Sequence, residues 1–545
     1  MRKLFQKPGL AVALAAAAVC LPLLTLPFVF DDVMSVADNP WLRELGSLRH
    51  LFGPAYTPIF RNEGFEPLTF LPIMLFGRAF AWQPWGLHLL SLLAHSACSW
   101  AVWRLARELF SEERPALLAG LFFALHPAQG ETTVAVLFSG TIFSALFFLL
   151  ALTRFVSRDG RDGPADKALT AGLFLVSLLF KERAFPGLLL FALLPFLKKG
   201  GGAAELRRRL PELLAFAGAA AAALLARLAA GRVSALSAAD LDPAFLFAKL
   251  AAYAKMICLP FWISPVYQKT AAWGDAAGLA ALLLAGAALP LAVKYGGRGG
   301  RGYSPAPAGA ALAGLLLLPY LNLLPVADLA EYLKSVFVSG RYLYLPLTGA
   351  ALVFGAAAEG FAAEWRRPAS KAAALILTTV LLLVFMGVSV SQRLIWRSDA
   401  AVWARAVRLN PDSAWGNYML GTSYLEQGDA ADAVPLLEKA VSLGPNRGVL
   451  SNSLGALAAA ALMQGRPADA ERTAKQALRV WNENYDAWNT LGAALAGMNR
   501  FAEAEQAFLE AARSPLTSGA ALANRELVKR ALSERSGAGP RKAGK

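Results

Sequence analysis

From Gly9 to Phe30 the chain carries no charge over 22 residues, and then stops on two carboxylates, Asp31 and Asp32. A helix of that length crosses about 30 Å of hydrocarbon at about 1.5 Å per residue. The pattern then repeats: apolar runs alternate with short clusters of Lys and Arg. Pro84–Phe110, Pro115–Leu125 and Val134–Leu152 are the next runs, followed by Ala168–Phe180 and Ala184–Leu197, which flank Lys181-Glu182-Arg183. Glu212–Gly231, Ala276–Val293, Pro305–Val326, Tyr342–Ala363 and Ala372–Val390 complete the set. Phe245–Pro265 is also apolar but holds Lys249 and Lys255, so it reads as interfacial or re-entrant.

Arg2, Lys3 and Lys7 before the first run set a cytoplasmic start by the positive-inside rule. The run is too long for the apolar part of a cleaved signal, and Leu24–Phe28 offers no small-residue cleavage site. Basic loops then give eleven spans with the C-terminus outside. Asp31 and Asp32, the His126–Glu131 turn, the tip at Lys181-Glu182 and the 327–341 loop all fall on the outer side. Both arms around Lys181-Glu182 are short, which sets their charges in a water-filled hollow rather than against lipid.

After Gln392 the pattern changes to polar, helical and repetitive. Leu420-Gly421, Leu454-Gly455 and Leu491-Gly492 recur at tetratricopeptide spacing, with Ala433, Ala440, Ala504 and Ala511 at the small-residue positions and Pro411 and Pro445 ending units. The second unit carries extra residues around Ala459–Gln464. A half-unit with Trp403 and Ala406 in register precedes the first. The expected fold is therefore all-α: a polytopic membrane bundle over residues 1–392, a tetratricopeptide solenoid over 393–532, and a small, basic, disordered tail over 533–545.

Composition agrees with this division. The chain is 56% hydrophobic and 17% charged, too apolar for a soluble protein. Its net charge of +15 is spread between apolar runs instead of gathered on one module, which argues against nucleic acid. Cys20, Cys98 and Cys258 lie in apolar segments, with neither a disulfide framework nor metal-ligand spacing.

Several stretches resemble one family. Phe30-Asp31-Asp32 resembles an aromatic-Asp-Asp after a first span, and Leu87–His95 resembles the family's second-span pattern. His126-Pro127-Ala128-Gln129-Gly130-Glu131 is similar to a His-Pro-x-x-Thr-Glu turn, with Gly130 in place of threonine. Phe180-Lys181-Glu182 is similar to Ser-Lys-Glu, and Arg341–Pro346 to Arg-Phe-Leu-Tyr-Leu-Pro. Together with the repeats, these resemble the transmembrane and tetratricopeptide-repeat O-mannosyltransferases, within the GT-C group related to protein O-mannosyltransferases. Two positions depart from the pattern. Thr141-Ile142-Phe143 replaces Arg-x-Asp after Ser139-Gly140, and Gly340 replaces a glutamate before Arg341.

The resemblance implies transfer of a mannose-like hexose from a polyprenyl-phosphate donor to a hydroxyl acceptor, with protein Ser or Thr as the acceptor, on the periplasmic face and with inversion. It implies a multi-pass protein of a bacterial-type cytoplasmic membrane with a periplasmic solenoid. Such transfer needs a base, cations for the leaving phosphate and adjacent membrane lipid. Asp31, matching the first acid of the related mannosyltransferases, is the expected base. Asp32 would orient the acceptor or bind a cation. Arg341, as a fork, and Lys181, as a compact charge, are the expected phosphate ligands. Glu131 and Glu182 bind a divalent cation or fix those basic groups, so no cofactor is certain.

His88, His95 and His126 read as structural, and Trp82, Trp85 and Trp262 as interfacial anchors. The solenoid has no catalytic motif and is expected to capture a protein or peptide acceptor. Trp415, Tyr418, Tyr424, Trp481, Tyr485 and Trp488 are mostly packing residues in this reading. A non-catalytic membrane scaffold for envelope assembly is the competing function. A transporter is a third, but inverted half-repeats of broken spans are absent from the sequence.

Overall fold

Proline and charge decide where the apolar runs become helices. The computed structural model describes residues 7–53, 65–158, 163–230, 243–261, 263–264, 280, 283, 302–317, 338–364, 368–514 and 518–535. The first run is not one helix to Phe30. Helix α1 (Pro8–Cys20) gives way to a 3-10 turn, Leu21–Thr25, because Pro22 lacks the N–H that would continue the ladder. Residues 26–29 are non-helical, and Phe30 has a positive φ of 55°, an unusual backbone for a residue with a side chain.

The membrane region continues with α2 (Phe70–Ala79), α3 (Pro84–Leu109), α4 (Glu113–Leu125), the short α5 (Gly130–Val134), α6 (Ser139–Ser157), α7 (Pro164–Phe180), α8 (Gly187–Leu197) and α9 (Ala203–Ala229). Then come α10 (Pro243–Cys258), α11 (Pro305–Leu317), α12 (Pro346–Glu364) and α13 (Pro368–Leu394). Helix α3 is central, packing on α1, α4 and α6, while α12 packs on α4 and α11. Phe148, Phe174, Phe191 and Phe216 bind α6 to α9 into one aromatic core, with Phe191 and Phe216 stacked at 4.1 Å.

No named strand occurs among the described residues. Four helical stretches there are long and apolar enough to cross a membrane: Pro8–Thr25, Val136–Ser157, Ala203–Ala229 and Ala372–Arg397. The expected span at 276–293 apart from the isolated positions 280 and 283, the 318–326 part of the span expected at 305–326, the 327–337 part of the 327–341 loop and Trp262 lie outside the described residues. The 245–265 segment overlaps α10, a helix of 16 residues.

The chain divides into two compact units at Ser398/Asp399. The second unit is a helical solenoid: α14 (Asp399–Leu409), the pairs α15 (Ala414–Glu426) with α16 (Ala430–Ser442), α17 (Arg447–Met463) with α18 (Pro467–Val480), α19 (Tyr485–Gly497) with α20 (Phe501–Ala511), and α21 (Ser518–Arg535). Helix α17 has 17 residues where α15 and α19 have 13, which is where the extra residues of the second repeat go. Side chains at the four starts, Ser413, Asp429, Asn446 and Asn484, accept backbone N–H bonds from three residues on. The six solenoid aromatics named above are all half-buried. Helix α21 runs to Arg535, past the expected start of the tail.

Candidate active site

Asp31 and Asp32 follow the strained Phe30 turn, and their environments differ. Asp32 is 1% exposed, and its carboxylate accepts the N–H groups of Val136 at 2.7 Å and Leu137 at 2.9 Å. These are the first amides of the 3-10 turn Val136–Phe138, which a helix start leaves without internal acceptors. Asp32 therefore ties the turn after the first apolar run to the segment between α5 and α6. Burial raises its pKa to about 7; the two amides oppose the shift and Asp31 adds to it. Asp31 is half-buried.

The same segment holds Arg341. Glu131, on α5, accepts the Arg341 guanidinium at 2.8 Å through one oxygen. Its other oxygen accepts the Arg341 backbone N–H at 3.1 Å and the Ser339 hydroxyl at 2.6 Å. A Cβ on Gly340 would stand 3.2 Å from the Ala128 carbonyl, a tight approach, and 3.5 Å from that carboxylate, an ordinary contact. The guanidinium lies 4.7 Å over the Phe138 ring, in the turn that Asp32 caps, and 5.2 Å over Tyr342. Asp32, Glu131 and Arg341 thus converge on residues 131–138.

Lys181 and Glu182 form a second cluster. Lys181 is paired with Glu66, a residue that no periodicity singles out. Thr69 donates to the Phe180 carbonyl at 3.1 Å and Leu68 to Leu179 at 3.3 Å, which seats the Glu66 segment beside the end of α7. Gly140 permits this seating, because a Cβ there would meet the Thr69 hydroxyl at 2.1 Å. Glu182 lies 3.8 Å from Arg227 and 3.9 Å from Arg183. Arg183 stands 4.8 Å over the Tyr342 ring, the ring that Arg341 also covers. Tyr342 thereby joins the two clusters.

Glu66, Arg183 and Arg227 are the site neighbours that sequence reasoning passed over. Arg183 directly follows the Lys-Glu motif and could have been found there. Arg227 sits in the last turn of an alanine-rich helix and looks like an ordinary helix end. As for a divalent cation, both oxygens of Glu131 are engaged, and no group of three or more His, Cys, Asp or Glu converges among the described residues.

The histidines hold backbone. His126 Nδ1 accepts the Ala128 N–H at 3.2 Å, so its Nε2 carries the proton donated to the Ile257 carbonyl at 3.0 Å. His95 bridges the Tyr344 hydroxyl at 2.7 Å and the Ala124 carbonyl at 3.2 Å, while His88 reaches the Pro27 carbonyl at 3.4 Å.

Residues 66–226 match the family described as Dolichyl-phosphate-mannose-protein mannosyltransferase, and residues 412–483 match Tetratricopeptide repeat. The first match includes Glu66, Glu131 and Lys181–Arg183; Asp31, Asp32 and Arg341 lie outside it. Human Protein O-mannosyl-transferase TMTC3 is 30% identical over 164 residues, covering 29% of this chain and 18% of its own length. Drosophila melanogaster Protein O-mannosyl-transferase Tmtc1 is 30% identical over 199 residues, covering 35% and 23%. Mouse Protein O-mannosyl-transferase TMTC2 is 28% identical over 178 residues, covering 30% and 21%. The matched stretch spans about a fifth of each relative. A stretch similar to that mannosyltransferase family thus precedes tetratricopeptide-type repeats in the same chain.

Proposed function

We propose that this protein transfers a mannose-like hexose from a polyprenyl-phosphate donor to a Ser or Thr hydroxyl of a protein acceptor. The reaction takes place on the extracytoplasmic face of a bacterial-type cytoplasmic membrane, in a bundle of about eleven spans, with the solenoid outside to bind the acceptor peptide. The observation that carries this reading is the convergence on residues 131–138 and Tyr342 of the Asp31-Asp32 turn, the Arg341–Glu131 pair and Arg183.

The two acids have separate work. Asp32 spends both oxygens on the Val136 and Leu137 amides and fixes the turn. Asp31 is the base: it takes the acceptor proton as the hydroxyl oxygen attacks the anomeric carbon. The bond to the phosphate oxygen breaks on the opposite face, so the configuration inverts and polyprenyl phosphate leaves with the electron pair. Arg341, set in place by Glu131, stabilises the charge developing on that phosphate, and Lys181 contributes from its pair with Glu66.

Donor affinity in nanodiscs tests this for the parent protein, Arg341→Lys and Arg341→Ala. Lysine keeps the charge but loses the fork, so Arg341→Lys should weaken donor binding and Arg341→Ala should weaken it further. Equal affinity in all three would remove Arg341 from the phosphate site. No donor binding by any of them would favour the scaffold function.

A further inference from the structure

Arg393, near the end of α13, is 0% exposed. Its Nη1 donates to the Ser389 carbonyl at 3.0 Å and to the Ser389 hydroxyl. Its Nε and Nη2 have no hydrogen-bond partner among the described residues. A guanidinium cannot shed its proton in a protein, so this is a full positive charge held away from water.

The groups facing it are neutral. Cys20 of α1, His95 of α3 and Tyr344 are its neighbours, with Cys98 beside Tyr344 and Thr133 beside Cys20. The Ala124 carbonyl can only accept, so His95 Nε2 carries a proton; its Nδ1 then accepts the Tyr344 hydroxyl, and the ring is uncharged. Thr133 spends its hydroxyl on the Gln129 and Gly130 carbonyls. No carboxylate lies within ion-pair distance of Arg393 among the described residues. Water could satisfy the N–H groups but would leave the charge uncompensated, and an uncompensated buried charge is strongly destabilising.

We propose that Arg393 is the cationic wall of an internal site for a small monovalent anion of the halide class. The donor set selects that class. It offers the Nε and Nη2 hydrogens with the Cys20 thiol against the guanidinium, while the nearby Tyr344 and Thr133 hydroxyls and the Cys98 thiol are already committed. Phosphate needs more donors and more room than this, whereas a weakly hydrated halide needs few. Helix α13 packs there on α1, on the Leu21–Thr25 turn and on the Pro127–Val134 segment that carries Glu131. The bound anion therefore fastens the last described membrane helix to the segment that holds Arg341.

The test is the thermal unfolding midpoint of the full-length protein in detergent, in sodium chloride and in sodium gluconate at equal ionic strength. Chloride should raise the midpoint by several degrees and saturate, and bromide should do the same. Arg393→Gln should unfold at the same temperature in both salts. Cys20→Asp places a built-in counter-charge beside the guanidinium, so in gluconate it should reach the parent's midpoint in chloride and gain nothing from added chloride. That variant keeps the test open if Arg393→Gln does not fold. Equal parent midpoints in the two salts would overturn the proposal. So would a full chloride response in Arg393→Gln, or a Cys20→Asp protein less stable in gluconate than the parent. Stabilisation by inorganic phosphate or polyprenyl phosphate but not by chloride would also sink the halide site, in favour of a phosphate one.

Discussion

The capped helix starts of the solenoid and the start at Val136 in the membrane unit are closed in different ways. In the solenoid each acceptor comes from its own turn: Ser413, Asp429, Asn446 and Asn484 all take an N–H from three residues on. In the membrane unit the start at Val136 is closed by Asp32, 104 residues earlier in the chain. Local caps can be replaced one at a time, and the neighbouring turns survive. A cap brought from a distant loop places a carboxylate pair against a turn that also carries Phe138 and, through Glu131, Arg341. The repeated region gains regularity from its contacts, and the membrane region gains a convergence of charged groups from distant parts of the chain.

The largest test of that contrast is Asp31→Asn. Size is kept and the proton acceptor is lost, so transfer should fall by about 10²–10⁴-fold with membrane abundance unchanged. Normal turnover of the native donor by the purified variant would leave the acidic turn with a purely structural role, like the caps of the solenoid. Next is Glu131→Gln. It leaves the buried Arg341 charge without its carboxylate, at a cost of about 3 kcal/mol. Amide exchange across residues 338–345 should rise sharply while the solenoid stays protected. Unchanged protection at 338–345 would show that Arg341 is held by something other than this pair.

Sequence separation explains what could be read in advance. The solenoid was legible because its signals lie within one repeat: Leu-Gly dipeptides, small alanines and capping residues at short, regular spacings. The membrane segments were legible as apolar runs, but the first run was read as one helix because its lack of charge outweighed Pro22 and Pro27. The acids stood out as the end of the first apolar run and Lys181 as the tip between two short arms, while Glu131 and Arg341 were reachable through motif resemblance. Glu131 was among the candidates for fixing the basic groups, although Arg341–Glu131 spans 210 positions, whereas Glu66, 115 positions from Lys181, was not reachable. Pairings of that range leave no periodic trace, and Glu66 and Arg227 read as ordinary loop and helix-end charges. Arg393 was missed for the same reason: a single arginine near the end of a long apolar helix looks like an interfacial residue, yet it is buried.

Asp32 sharpens the contrast through pH. Its folded-state pKa of about 7 stands above the ordinary 3.8, chiefly because it is buried. A raised carboxylate value means that the folded protein holds the proton more tightly than the unfolded chain does. The associated stability is complete below the ordinary value and is lost as pH rises through about 7. The thermal midpoint of the parent should therefore fall between about pH 5 and about pH 7 and level off above that, and Asp32→Asn should remove that slope. A slope retained in the variant would assign the titration to another group. The solenoid caps named above include one carboxylate, Asp429, and it is exposed, so amide protection at the start of α16 should stay flat over the same range.

The smallest effect lies inside the solenoid and asks how far its repeats are interchangeable. Gly421, Gly455 and Gly492 occupy the same register, but their surroundings differ. A Cβ on Gly492 would stand 2.7 Å from the Phe508 ring on α20, and one on Gly421 would stand 2.7 Å from Leu437 on α16. At Gly455 the nearest atom is the Ala487 Cβ at 3.5 Å, an ordinary contact with the next repeat. Alanine gains about 0.8 kcal/mol over glycine in a helix interior. At Gly492 that gain is outweighed, because Phe508 must leave its packed position, an overpacking cost of about 1–3 kcal/mol. Gly492→Ala should thus destabilise α19 and α20 by about 1 kcal/mol, and Gly455→Ala should stabilise its repeat slightly. Amide exchange in the full-length protein, resolved by helix, separates the two. If both substitutions move protection in the same direction, the packing difference between the second and third repeats carries no energetic weight, and the solenoid is more uniform than its helix lengths suggest.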